Sequence, residues 1–93
     1  SNEITLKEAL EKFVDAYKLR GKFDEKKIKN LWKEIVGENL YKHTTGVELK
    51  ERKLHVGVDH SVARQEMMFM KSRLKNLINR KAGKSIVDEV IVR

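Results

Sequence analysis

The chain has no cysteine and no proline, and its five glycines lie far apart. Lacking cysteine, it can form no disulfide, present no thiolate nucleophile and hold no zinc ribbon, a composition that fits a reducing compartment. Lacking proline, low-complexity tracts and internal repeats, it shows no linker that would separate two domains. Gly21, Gly37, Gly46, Gly57 and Gly83 are too widely spaced for a phosphate-cradling loop or a dinucleotide fingerprint, and each reads as a turn or a cap. No apolar run approaches the roughly 18 residues that a membrane span needs. The N-terminus has no basic stretch followed by an apolar one, so the expectation is a cytoplasmic protein.

Catalytic and metal chemistry find equally little support. His43, His55 and His60 are strung around a predicted hairpin without the tight helical spacing of a metal motif. His43 reads as a helix-end residue bonding backbone carbonyls, and His55 as a residue on the polar hairpin face. The acidic residues are mostly helical glutamates with lysines at ion-pair spacing, so no carboxylate pair stands out. Ser61 has no identifiable neighbouring base. The expectation is a non-enzymatic protein with no metal and no cofactor.

What the chain does have is charge and apolar periodicity. With 40% hydrophobic and 38% charged residues, it is apolar enough to fold as a single domain over residues 1–93 and leaves a heavily charged surface. The net charge of +7 is concentrated: residues 18–33 carry +5 and residues 61–84 carry +6, while the other segments are slightly acidic. Two basic blocks beside near-neutral stretches resemble a polyanion-binding footprint more than an even solubilising coat.

Thr5-Leu6-Lys7-Glu8 has the form of a capping box and predicts a helix start. Leu6, Ala9, Leu10, Phe13, Ala16 and Tyr17 then make one apolar stripe through about residue 19, which Gly21 is expected to end. Asp24 is placed to cap a second helix whose core face is Ile28, Leu31, Trp32, Ile35 and Val36. The chain bends near Gly37, either at a left-handed helix cap or at a glycine that opens a further turn through Leu40. From Thr45 to Asp59 the period changes to two, predicting a hairpin that turns around Glu51-Arg52. Residues 61–82 form the longest helical pattern, with Ser61 as its cap and Gly83 as its stop. A β-branched run over Ile86-Val87 and Val90-Ile91-Val92 reads as a last strand. The order α-α-β-β-α-β predicts an α+β, two-layer domain with a three-stranded sheet packed on helices.

On the third predicted helix, Ala63, Met67, Met70, Leu74, Leu77 and Ile78 share the core arc. Arg64, Lys71 and Lys75 fall on one flank, Arg73 and Arg80 on the other, and Lys84 follows the helix end. Lys26, Lys29 and Lys33 form a comparable stripe on the second helix. These nine residues are the candidate phosphate contacts; the competing reading is a set of solvated faces whose stems cover apolar surface. Met68 and Phe69 point outward with Gln65, Ser72, Asn76 and Asn79. They are candidates for stacking on a base or docking on a partner protein, unless the first helix covers them. Trp32 is assigned to structure, filling the gap between the second helix and the sheet.

The stretch Trp32-Lys33-Glu34-Ile35-Val36-Gly37, then Leu40, His43-Thr44, the hairpin ending in Leu54-His55-Val56-Gly57-Val58, and Ser61-Val62-Ala63-Arg64 resembles the DciA-like family. The resemblance continues through Leu77-Ile78-Asn79, Gly83 and the final strand, covering about residues 5–93. It implies a KH-like fold and an association with DNA and with the bacterial replicative helicase, whose loading such proteins assist. Some relatives carry a zinc ribbon, which a chain without cysteine lacks. The Gly-x-x-Gly loop of KH modules is also absent, so phosphate contacts would come from the helical basic flanks.

The leading expectation is therefore a nucleic-acid-binding adaptor of DNA replication, a helicase-loading factor that contacts DNA weakly and without strong sequence preference. Two rivals stand beside it: a protein-interaction module docking through the outer face of the third helix, and an RNA-binding domain.

Overall fold

The computed structural model describes residues 5–93. The expected helix start holds: Thr5 Oγ1 accepts from the Glu8 N–H at 3.1 Å, opening α1 (Leu6–Ala16). Gly21 does not end this helix. A Schellman-type reversal does so earlier, with Lys18 left-handed (φ 56°), Leu19 N–H bonded to the Val14 carbonyl and Lys18 N–H to that of Asp15. The guanidinium of Arg20 clasps both Glu11 and Asp15 across the turn. Helix α2 (Arg20–Val36) begins at that clasp, which leaves Asp24 buried inside the helix rather than at its cap.

Gly37 joins α2 to the five-residue α3 (Glu38–Lys42) at φ 87°, ψ 162°, a region open essentially to glycine alone. Strands β1 (Thr44–Lys50) and β2 (Lys53–Val58) pair antiparallel, with a bulge between Thr44 and Gly46. Their turn puts Glu51 and Arg52 at φ 48° and 66°, the primed geometry that suits strand twist, here without the usual Asn-Gly. Arg52 secures it: its guanidinium grips both carboxylate oxygens of Asp88 at 3.0 Å and both Ser85 oxygens, and its carbonyl accepts from the Asp88 N–H.

The long helical pattern is broken. Helix α4 (Ser61–Phe69) ends at Met70, whose N–H bonds three residues back to Met67, and α5 (Lys71–Ala82) starts immediately after. No glycine or proline marks this junction; it arises because α4 packs across the ends of β2 and β3 whereas α5 runs against β3 and α2. The cap of α4 is the His60 side chain, which accepts from the Ala63 N–H, rather than Ser61. After Gly83, left-handed at φ 80°, the chain returns as β3 (Glu89–Val92) parallel to β2. The sheet order is β1-β2-β3, with β1 and β3 as edges, so the expected α+β architecture of three strands packed on helices is observed.

Ile86 and Val87 are buried but precede the strand, and Asn79 takes the place of a strand partner for them. Its Oδ1 accepts from the N–H groups of Ile86 and Val87 at 2.9 and 3.0 Å, and its Nδ2 donates to the Val87 carbonyl at 2.9 Å. Asn79 thus faces the α5–β3 connection and not the outer side. The core beneath is one cluster centred on Ile28, Trp32, Leu54, Val56, Met67, Leu74, Ile78 and Val90.

Two predictions follow from these contacts. Asn79→Ala leaves two backbone donors without a partner and is expected to lower unfolding free energy by about 2–4 kcal/mol in urea titration; a change within about 0.5 kcal/mol would contradict the assignment. Hydrogen bonding to Arg52 holds the Asp88 carboxyl below its ordinary value, helped by the charges of Arg52 and Lys75. A depressed carboxylate contributes stability that is present above the unfolded value and lost as pH falls through the folded one. Asp88→Asn should therefore lower the melting temperature at neutral pH and have little effect once Asp88 is protonated; an equal loss in both conditions would contradict this account.

Candidate nucleic-acid interface

Helix α2 has two flanks with different neighbours. On one, Lys27 Nζ donates to the Ala82 carbonyl at 3.0 Å and Glu34 accepts from Lys81 Nζ at 3.1 Å, both on α5. The other faces α3 and β1, where Glu25 Oε1 accepts from the Leu49 N–H of the edge strand at 2.8 Å. Between them Trp32 is only 2% exposed. Its indole N–H donates to Thr44 Oγ1 at 3.1 Å, and that hydroxyl donates to the Leu40 carbonyl at 2.9 Å. One buried side chain thereby ties α2, α3 and the start of β1 together, and the expectation that Trp32 fills the gap between helix and sheet is met.

Above Trp32 lies an open groove of about 390 Å³ between α2, α3 and the β1 edge. Lys29 forms one wall; Tyr41 and Lys42 form another; Thr45, Gly46 and Val47 supply the strand side. Lys33 Nζ sits 5.8 Å from the centre of the Tyr41 ring, a cation–π distance, and the ring is exposed. Among the described residues, the one carboxylate paired with these lysines is Glu25, 3.9 Å from Lys29. Tyr41 and Lys42 were not among the residues singled out from sequence. The available signal was an aromatic beside a lysine directly after the Gly37 bend; only the short α3 turns them toward α2.

The other basic candidates lie elsewhere. Lys26, one turn from Lys29, lines a hollow between α1 and α2. Lys71 and Lys75 are half-buried beside Asp88 and Glu89 at the β3 edge, across the sheet from β1. The two basic stripes therefore do not form one groove. Arg73 and Arg80 are exposed on the opposite flank of α5, and Lys84 is exposed after its end. Arg64 belongs to α4, separated from Lys71 by the Met70 break, and donates to the Val58 carbonyl at 2.7 Å, pinning α4 to the end of β2. Met68 and Phe69 are uncovered, Phe69 by 82%, and with Ser61, Arg64 and Gln65 they line a second hollow of about 410 Å³.

His43 stands at a helix end as expected, but its ring does not bond a backbone carbonyl. The ring bonds Asp59 at 3.0 Å and stacks on His60 at 4.8 Å. Among the described residues, no three His, Asp or Glu gather as a metal site. Among them, too, no helix is long and apolar enough to cross a membrane.

A small α+β domain with a lysine- and tyrosine-lined groove at a sheet edge is the class that fold and surface define. A family model described as "Dna[CI] antecedent, DciA" matches residues 5–92, and the chain belongs to the DciA family. That family is associated with loading of the bacterial replicative helicase. No curated protein and no solved structure matches the chain.

The Trp32 anchor can be tested directly. Trp32→Ala should cost about 3–5 kcal/mol of stability in chemical denaturation. Trp32→Phe, which keeps most of the ring but removes the donor to Thr44, should cost about 1–3 kcal/mol. A Trp32→Ala protein with unchanged unfolding would refute the role.

Proposed function

We propose that the groove between α2, α3 and the β1 edge binds a single strand of DNA, and that through it the protein contacts DNA while assisting the replicative helicase. The observation that carries this reading is the convergence of Lys29, Lys33 and Lys42 on the exposed ring of Tyr41. Lysines give the sequence-independent attraction to phosphates, and an aromatic face offers a platform on which any base can stack. The edge strand adds backbone groups beside it. Lys26 extends the positive track along α2, while Arg73, Arg80 and Lys84 form a separate positive surface on α5. Arg64, Lys71 and Lys75 contribute less, because a backbone carbonyl and two carboxylates already occupy or neighbour them.

The test is fluorescence anisotropy with labelled single-stranded DNA, duplex DNA and RNA across a salt series. If the groove neutralises about three to four phosphates of a single strand, the log–log salt slope is about −2 to −3. Reversing charge at Lys29, Lys33 and Lys42 should remove most binding, and reversal at Lys71 and Lys75 should change it little. Tyr41→Ala should weaken binding about 5- to 150-fold, the loss of one stacking platform at about 1–3 kcal/mol. A slope near zero, or a loss confined to the Lys71/Lys75 variant, would sink the proposal. Tighter binding of RNA than of DNA would move the function to the RNA reading.

A second reading is favoured by the bare surface of α4. We infer that Met68 and Phe69 are the docking patch for a protein partner, with the replicative helicase as the partner to try. Exposed aromatic and thioether side chains around a shallow hollow have the make-up of an interface anchor. Phe69→Ala should then weaken capture of the helicase more than any lysine substitution in the groove; equal capture would contradict the assignment.

A further inference from the structure

Helix α1 is amphipathic, yet among the described residues little of its apolar stripe is covered. Val14 is its one buried residue, against α2. Leu6, Leu10, Phe13 and Tyr17 form a continuous exposed ridge, with the Phe13 and Tyr17 rings 4.7 Å apart, and Leu19 and Phe23 carry the surface onto α2. These six residues are between 36% and 78% exposed. A whole aromatic side chain offers about 150–250 Å², so exposures of this size leave on the order of 600 Å² of apolar surface. That lies at the upper limit for a soluble monomer.

We propose that this face is the contact between two copies of the chain. Pairing it with its own copy would remove about 1,200 Å², the lower bound for a specific interface. The face also holds both halves of such a contact. Leu6, Leu10, Phe13 and Tyr17 make a ridge, and beside it a hollow of about 410 Å³ opens between α1 and α2, walled by Leu10, Phe13, Leu19 and Phe23 and bordered by Lys22 and Lys26. In a two-fold arrangement the ridge of each copy enters the hollow of the other, and the contact closes on itself. Ala9 and Ala16, small residues flanking the ridge, allow the two α1 helices to approach closely. The result is a four-helix layer of α1 and α2 from each copy, with Lys26 at its border and the groove residues Lys29, Tyr41 and Lys42 outside the hollow.

Sedimentation equilibrium of the full chain, from micromolar to near-millimolar concentration, tests this. The apparent mass should rise from 10.9 kDa toward twice that value. Phe13→Glu and Tyr17→Glu should each raise the dimer dissociation constant at least about tenfold with unchanged far-UV circular dichroism, since both side chains are already in water. Phe69→Glu, on the other exposed apolar patch, should leave association as it is. A chain that stays at 10.9 kDa at the highest concentration, or a dimer that survives the Phe13/Tyr17 double variant, overturns the proposal. So does a dimer lost through Phe69→Glu alone.

Discussion

The structure turns on one buried indole. Trp32 is 2% exposed, at the floor of the groove, and its single polar atom is satisfied by Thr44, whose hydroxyl in turn satisfies the Leu40 carbonyl. That short chain fixes the azimuth of α2 over β1 and sets α3 at the corner between them. The Gly37 backbone, in a conformation closed to other residues, makes the corner possible. With α2 locked in this rotation, the flank carrying Lys29 and Lys33 must face α3 and the sheet edge. The candidate interface is thus a consequence of core packing: the lysines converge with Tyr41 because Trp32 leaves α2 no other way to sit.

Local electrostatics separates the groove from the other basic surfaces of the molecule. Lys71 and Lys75 face Asp88 and Glu89, Lys81 pairs with Glu34, and Arg52 and Arg20 are held by carboxylates. Such surface pairs add little stability, yet they cancel field at short range, where screening leaves attraction to a phosphate strongest. Among the described residues, the one carboxylate paired with the groove lysines is Glu25, itself also engaged by the Leu49 amide. Net charge therefore overstates the α5 flank and understates the α2 groove.

Much of this was legible in the sequence. The capping box at Thr5, the core faces of α2 and of the later helices, the hairpin and its turn, and the α+β class all follow from periodicity and cap chemistry. The misses share a physical cause, tertiary contacts that carry no local signal. Lys18 ends α1 in a conformation normally left to glycine because the Leu19–Val14 reversal and the Arg20 clasp hold it there. Helix α4 breaks from α5 at Met70 because the two pack on different elements, and Asn79 looks like a surface amide until the α5–β3 connection folds over it. Tyr41 is invisible for the same reason: its value depends on what α3 places beside it. The stripe on α1 was read correctly as apolar, but periodicity says only that a face seeks cover, not that the rest of the chain supplies it.

The most direct test of the central claim is to map where DNA touches the protein, by titrating single-stranded DNA into isotope-labelled protein and following backbone amide resonances. The account predicts that the shifts gather at Lys29, Lys33 and the segment from Tyr41 to Val47, at both walls of the groove beside the β1 edge. Shifts gathered instead along α5 around Lys71, Lys75 and Arg80, with the β1 edge unmoved, would contradict it.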